Sequence, residues 1–96
     1  MFVVLITYTG PIERINAFIE PHKAWMAEQY AAGTFLASGA QTPRTGAVIL
    51  ARGDDRSALE ALLTQDPVAQ AGVADHQVVE FVPTTTAPGL ELLAGC

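Results

Sequence analysis

The chain has 96 residues, 50% of them hydrophobic, with a mean hydropathy of +0.29 and a formal net charge of −5. That length makes one domain, and a domain so small buries only about 60–65% of the surface its unfolded chain exposes. Its 5 basic residues are scattered rather than clustered, which excludes a nucleic-acid footprint but leaves room for a small neutral or anionic ligand.

Phe2–Tyr8 is β-branched and aromatic throughout and reads as a strand. Both of its faces are apolar, the mark of a central strand covered on two sides. Thr9-Gly10-Pro11 turns the chain, and Ile12–Ile19 makes a helical turn or two. Pro21 lacks an N–H and clashes with the turn before it. The main helix is therefore expected to begin there and run to about Ala32, with Gly33 as its stop. Ile15, Ile19, Met26 and Tyr30 keep a helical spacing, and His22 falls on the same stripe. Two roles are open to a histidine so placed: a packed spacer facing the core, or a chemical group.

Thr34–Gln41 reads as a second strand, and Thr42-Pro43-Arg44-Thr45-Gly46 as a hairpin connection. Ala47–Ala51 is a third strand, again apolar on both faces. Asp55 is suited to cap a helix over Arg56–Thr64, whose apolar face is Leu59, Leu62 and Leu63. Asp66-Pro67 restarts the chain into one turn that Gly72 ends. His76–Val82 is the fourth strand, closed by Pro83. The domain thus spans residues 1–83, and a tail over 84–96 carries Thr, Pro and Gly, then Leu90, Leu92 and Leu93.

The order β-α-β-β-α-β is that of an α+β, ferredoxin-like antiparallel sheet, with sheet order 4-1-3-2 and both helices on one face. Strands 1 and 3 are then central, in agreement with their two apolar faces. The face without helices stays apolar. Two such sheets packed face to face form a dimeric α+β barrel, so a homodimer is expected, and the high hydropathy is accounted for. The apolar opening lacks a basic leader and is too short for a membrane span. The single cysteine, Cys96, excludes an intramolecular disulfide. The expectation is a cytoplasmic protein with no membrane partner.

Several short stretches recur in a known order. Pro21-His22 opens the first helix, Ser38-Gly39 lies on strand 2, and Pro43-Arg44-Thr45-Gly46 precedes an apolar strand. Asp66-Pro67-Val68-Ala69-Gln70-Ala71-Gly72-Val73 leads to the last strand and Phe81. In these the chain resembles the YCII-related (YciI-like) family over roughly residues 2–83. The resemblance implies a dimeric ferredoxin-like barrel and an active-site pair, here His22 and Asp66. It implies no single reaction, although one branch of the family is linked to dehydrochlorination of a chlorinated hydroquinone. Lys23 stands where leucine is commoner.

The topology brings His22, Asp66, Ser38 to Gln41, Arg44 and His76 to one end of the sheet, as a small-molecule site requires. His22 and Asp66 are the candidate catalytic pair; Ser38, Gly39 and Arg44 are the candidate substrate contacts. Each also has a plainer role open to it. Asp66 suits a helix cap, Arg44 a solvated turn, Ser38 a packing position and His76 the rim. His22, Asp66 and His76 lack the dense spacing of a metal set, so no metal is expected. No phosphate-cradling glycine loop and no nucleophile elbow is present, and no cofactor is expected. Two functions remain: a small-molecule enzyme using a His–Asp pair for isomerisation, elimination or hydrolysis, or a non-catalytic dimeric module that binds a metabolite or supports a neighbouring protein. Contact between His22 and Asp66 at a cavity open to solvent favours the first.

Overall fold

Strands β1 (Phe2–Tyr8), β2 (Phe35–Ala40), β3 (Gly46–Ala51) and β4 (Ala74–Glu80) form one antiparallel sheet in the order β2-β3-β1-β4. This is the ferredoxin-like α+β arrangement expected from the element order. The computed structural model describes residues 1–95; the lone cysteine, Cys96, lies outside them. Helices α1 (Ile12–Ala17) and α2 (Ile19–Ala31) follow β1, and α3 (Arg56–Leu63) and α4 (Pro67–Gln70) follow β3. A single 3₁₀ turn, Glu91–Leu93, lies in the tail.

The period-two pattern of β1 decides its two faces. Phe2, Val4 and Ile6 are buried beneath the helices, in register with Ala51, Ile49 and Ala47 of β3. Val3 and Leu5 point the other way, beside Leu50 and Val48. The buried set meets Ile15, Trp25, Leu59, Leu63 and Val68 from the helices in one core. Burying a side chain of this size stabilises by about 1.5–3 kcal/mol. An isolated helix under about 12–15 residues is marginal in water. Since α1 and α3 have only 6 and 8 residues, packing on the sheet must hold them.

Element boundaries depart from the sequence reading in instructive places. Helix α2 begins at Ile19, two residues before Pro21, so Pro21 sits inside its first turn. The N–H groups of a first turn have no partners in the helix, so a proline there forfeits nothing. The helix's bonding starts with the next residue, where His22 N–H donates to Phe18 O at 3.0 Å. The far end agrees with expectation. Gly33, with φ +78°, follows the cap, and Thr34 N–H donates to Gln29 O while Gly33 N–H donates to Tyr30 O. That pair of bonds is a Schellman stop, and it needs the left-handed backbone glycine allows.

Strand β4 starts at Ala74 rather than His76, because Ala74 and Asp75 pair with Tyr8 and Thr7. Alanine and aspartate are weak strand formers, and pairing with a full-length β1 overrides that preference. It ends at Glu80, opposite Phe2, where β1 itself runs out. The outer strands are modified along their edges. Strand β2 carries a register shift between Phe35 and Ala37. The guanidinium of Arg56 donates to the Val78 carbonyl of β4 at 2.9 Å and pairs with Glu60 along α3.

Gly46, at the start of β3, is a point of close backbone approach. A Cβ there would lie 1.7 Å from the carbonyl oxygen of Ile6. The obstruction is backbone in a central strand, so relief means moving β1 against β3. Gly46→Ala is expected to cost at least about 2 kcal/mol, as overpacking does. For a domain of this size that lowers the thermal midpoint by about 8–16 °C. A melt followed by circular dichroism reads it, and an unchanged midpoint would refute the close approach.

Candidate active site

Asp66 is the most deeply buried polar residue among the described residues. It caps the single turn of α4, and its Oδ1 accepts from the Val68 N–H at 3.2 Å. A cap is the plain role expected for an aspartate before proline. Here the same carboxylate has further partners. His22 Nδ1–H donates to Oδ1 at 2.7 Å, and His76 Nε2–H donates to Oδ2 at 3.1 Å. Asp66 itself is 0% exposed. A buried carboxylate without partners costs several kcal/mol, so these three donors are a condition of folding as much as of chemistry.

Burial pushes the Asp66 carboxyl up. The hydrogen bonds from His22 and His76, the positive charge His22 can carry and the Val68 N–H outweigh burial, and hold it below the usual carboxylate range. Asp66 is thus an anion at neutral pH and acts only as acceptor. It follows that His22 carries a proton on Nδ1, and that in its neutral form Nε2 is the acceptor nitrogen.

His22 lies on the wall of a cavity of about 490 Å³ between α2 and the helix-bearing face of the sheet. Of the stripe identified in the sequence, Ile15 is buried in the core, whereas Ile19, His22, Met26 and Tyr30 line this cavity, Met26 also touching the core. The residues α2 buries are Trp25 and Gln29, one step round the helix. The expectation that this stripe faces the core therefore holds at Ile15 and in part at Met26, and is corrected at Ile19, His22 and Tyr30. Trp25 is wedged edge-on against Phe35, and its bulk sets the helix rotation. The cavity floor is Ile6, Tyr8, Ala47 and Ile49 from the two central strands.

Ser38, Gly39 and Arg44 all line the same cavity. Ser38 shares a hydrogen bond with the Tyr30 hydroxyl, joining β2 to α2 across the opening. Arg44 donates to Asn16 Oδ1 at 3.1 Å, and its guanidinium lies 5.9 Å from the centre of the Tyr8 ring. Those contacts aim a turn residue that would otherwise be solvated. Lys23 adds a second cation at the rim. Gln41, which the topology placed near the site, instead donates to the Ile6 and Ala47 carbonyls and ties β1 to β3. His76 is 10% exposed and faces a separate groove beside Arg56, Glu60 and Asp75, reaching the site through Asp66 alone.

The aromatic members Tyr8 and Tyr30, and the second histidine on Asp66, did not emerge from the sequence as site residues. Tyr30 had a signal, since it shares the stripe of His22. His76 had one as well, since the topology brings it to this end of the sheet, but only as a rim residue; its bond to Asp66 depends on the register of β4. Among the described residues no three His, Cys, Asp or Glu side chains form a metal-binding group.

A sequence profile described as YCII-related domain matches residues 1–82. The chain belongs to that family. A search of curated proteins gives no match. Among solved structures, the fold is similar to 5-chloro-2-hydroxyhydroquinone dehydrochlorinase (TftG) from Burkholderia phenoliruptrix AC1100, in complex with 2,5-dihydroxybenzoquinone. That superposition has a TM-score of 0.70 and 14% identity, and covers 84% of this chain and 93% of that one. It is also similar to SnoaB, a cofactor-independent oxygenase from Streptomyces nogalater, with a TM-score of 0.51 and 19% identity over 91% of this chain and 94% of that one. At such identities the likeness bears on the fold, which both share with this YCII-related chain. No helix among the described residues is long and apolar enough to cross a membrane.

The lowered Asp66 pKa has a consequence for acid stability. A depressed carboxyl contributes stability that is fully present above its unfolded value, about 3.9 for aspartate, and lost as pH falls through the lower folded value. Between pH 5 and pH 2, the stability advantage of the parent over Asp66→Asn should therefore shrink steadily. Urea unfolding of both proteins across that range measures it. An advantage independent of pH would show that the charge of Asp66 contributes nothing.

Proposed function

We propose that this protein is a small-molecule enzyme in which His22 is the general base and Asp66 orients it. The observation that carries this reading is the division of the imidazole. Nδ1 is taken by a buried carboxylate, while the ring lies on the wall of an open cavity. Such a ring is held in one tautomer and offers Nε2 to a bound ligand. The imidazolium formed by proton transfer is stabilised by the Asp66 carboxylate behind it.

The cavity suits a flat, hydroxylated or enolisable ring. Its floor is apolar and its volume lies within the range of small-ligand sites, roughly 300–1,000 Å³. Tyr8 offers an aromatic face, and the Tyr30 and Ser38 hydroxyls offer hydrogen bonds. Arg44 and Lys23 supply the cations that a substrate anion requires. In the step we envisage, Nε2 takes a proton from an acidic O–H or C–H. The electron pair left on the substrate moves into the ring or its carbonyl, opposite Arg44. Where a neighbouring carbon bears a leaving group, the pair can expel it as an anion, which makes the step an elimination. Where it does not, return of the proton at another atom makes it an isomerisation. The quinonoid compound in the TftG structure is a ligand of this general shape, and supports the choice of first probe.

The expected partner is a second copy of the chain. Val3, Leu5, Val48 and Leu50 stand on the sheet face opposite the helices, beside Val79, which is 44% exposed. Apolar area of that kind is usually covered. Light scattering at micromolar concentration is expected to give twice the chain mass. Leu5→Lys, in the middle of the face, is expected to give the single mass; a parent protein that already runs as a monomer would overturn the homodimer.

The catalytic reading is tested with 2,5-dihydroxybenzoquinone as binding probe and halogenated hydroxyhydroquinones as substrates. His22→Asn should lower turnover by about 10²–10⁴, the usual contribution of a general base, with little change in melting temperature, because the asparagine amide stands near the place of Nδ1 and still donates to Asp66. Arg44→Lys should weaken the anionic probe more than about tenfold, because lysine cannot reproduce the guanidinium fork. Full turnover in His22→Asn would remove His22 as the base, and binding of the probe with no turnover by the parent protein would leave the binding-module function in place of the enzyme.

A further inference from the structure

The histidine on the far side of Asp66 has no part in proton transfer as described above. His76 does not line the ligand cavity, and its ring faces a different groove. Yet its Nε2 lies 3.1 Å from Oδ2, the carboxylate oxygen that His22 leaves open. Within the reading of His22 as base, we propose that His76 is a positioning residue. It fixes the plane of the Asp66 carboxylate, and through it the tautomer and direction of the His22 ring.

Three observations support this. The first is the distribution of donors. Oδ1 takes the Val68 N–H at 3.2 Å and His22 at 2.7 Å, and Oδ2 takes His76. With Oδ1 alone engaged, the carboxylate could swing about its own bond, since terminal torsions of this kind are broad. A donor on the opposite oxygen removes that freedom.

The second is what His76 is attached to. Asp66 opens a helix of only 4 residues, a slight support for a catalytic group. His76 lies on β4, in register with Ile6 of central strand β1, and Ile6 is part of the cavity floor. The bond from His76 therefore ties Asp66 to the sheet on which a ligand would rest. Positions held to within about half an ångström are what a catalytic pair requires.

The third is the residue type. Lysine or arginine could also hold Oδ2, but each would place a permanent positive charge on the carboxylate. That charge would offset the pull of Asp66 on a protonated His22. A histidine donates the same hydrogen bond while neutral, so the carboxylate keeps its charge for His22. The charged groups around His76 are Asp75 on its own strand and Arg56 and Glu60 on α3; Lys23 and Arg44 lie on the His22 side.

The test reads the His22 ring directly and needs no substrate. Long-range proton–nitrogen spectra of the ¹⁵N-labelled full chain distinguish the two neutral tautomers of each histidine. In the parent protein, His22 should be the Nδ1–H form with an unprotonated Nε2. In His76→Leu its nitrogen signals should move toward the averaged positions of an unheld imidazole. In His76→Gln, whose side-chain amide reaches a similar distance, they should return toward those of the parent. Should the leucine variant not fold, His76→Asn takes its place, because its shorter amide keeps a polar group but falls short of Oδ2. Unchanged His22 signals in the leucine or asparagine variant, or no recovery with glutamine, would overturn the proposal and leave His76 as a packing residue. The outcome is separable from that of His22→Asn in turnover. A held tautomer with no loss of turnover defeats the catalytic reading alone, whereas full catalysis with an indifferent ring in His76→Leu defeats only the positioning role.

Discussion

One buried negative charge governs the geometry of this molecule. The Asp66 carboxylate has no exposed surface, so every donor that makes it tolerable must be brought by the chain. The donors come from three elements: α4 through Val68, α2 through His22 and β4 through His76. The ends of these elements are thereby fixed to one point beneath the helix layer. A hydrophobic core alone is permissive about small shifts of a helix along a sheet; a carboxylate with three directed bonds is not. The same requirement engages Nδ1 of His22, on a ring that also lines the cavity. Stability and the proposed chemistry therefore draw on a single set of contacts.

The cavity follows from how α2 is oriented. The helix has apolar residues on two sides, with Trp25 buried against Phe35 and Ile19, Met26 and Tyr30 lining the cavity. Trp25 and Phe35 meet edge to face with ring centres 5.5 Å apart, which occupies the gap on one side and leaves the other unfilled. An apolar stripe left only partly packed is what a ligand pocket looks like from the helix. The polar rim is tied down without being filled: Ser38 to Tyr30, Arg44 to Asn16 and the Tyr8 ring. Side chains so restrained lose less freedom when a ligand arrives.

The parts legible from sequence were those set by local pattern and by topology. Two-sided apolar strands implied the central positions of β1 and β3, and Gly33 marked the helix stop. The chain order then placed His22 near Asp66 without any knowledge of side-chain contacts. The rotation of α2 was not legible, because its apolar residues fall on both sides and periodicity alone does not say which side meets the sheet. The start of α2 was missed for a related reason: proline is a stop signal inside a helix, and its tolerance in a first turn depends on where that turn begins. His76 was placed at the right end of the sheet, but its bond to Asp66 depends on β4 beginning at Ala74. Only that register puts residue 76 opposite Ile6, on the helix side.

The two outer strands bear on how such a sheet can meet anything else. An edge strand with free carbonyls is a template on which another chain can lay a strand of its own. On β4 one of those carbonyls, at Val78, is occupied by the Arg56 guanidinium, which also places a charge beside the strand. On β2 the register shift between Phe35 and Ala37 breaks the even spacing that an added strand would have to match. Lateral growth of the sheet is obstructed at both ends by different means. Protection of this kind lets a small, apolar domain keep a broad hydrophobic face without becoming the seed of a fibril.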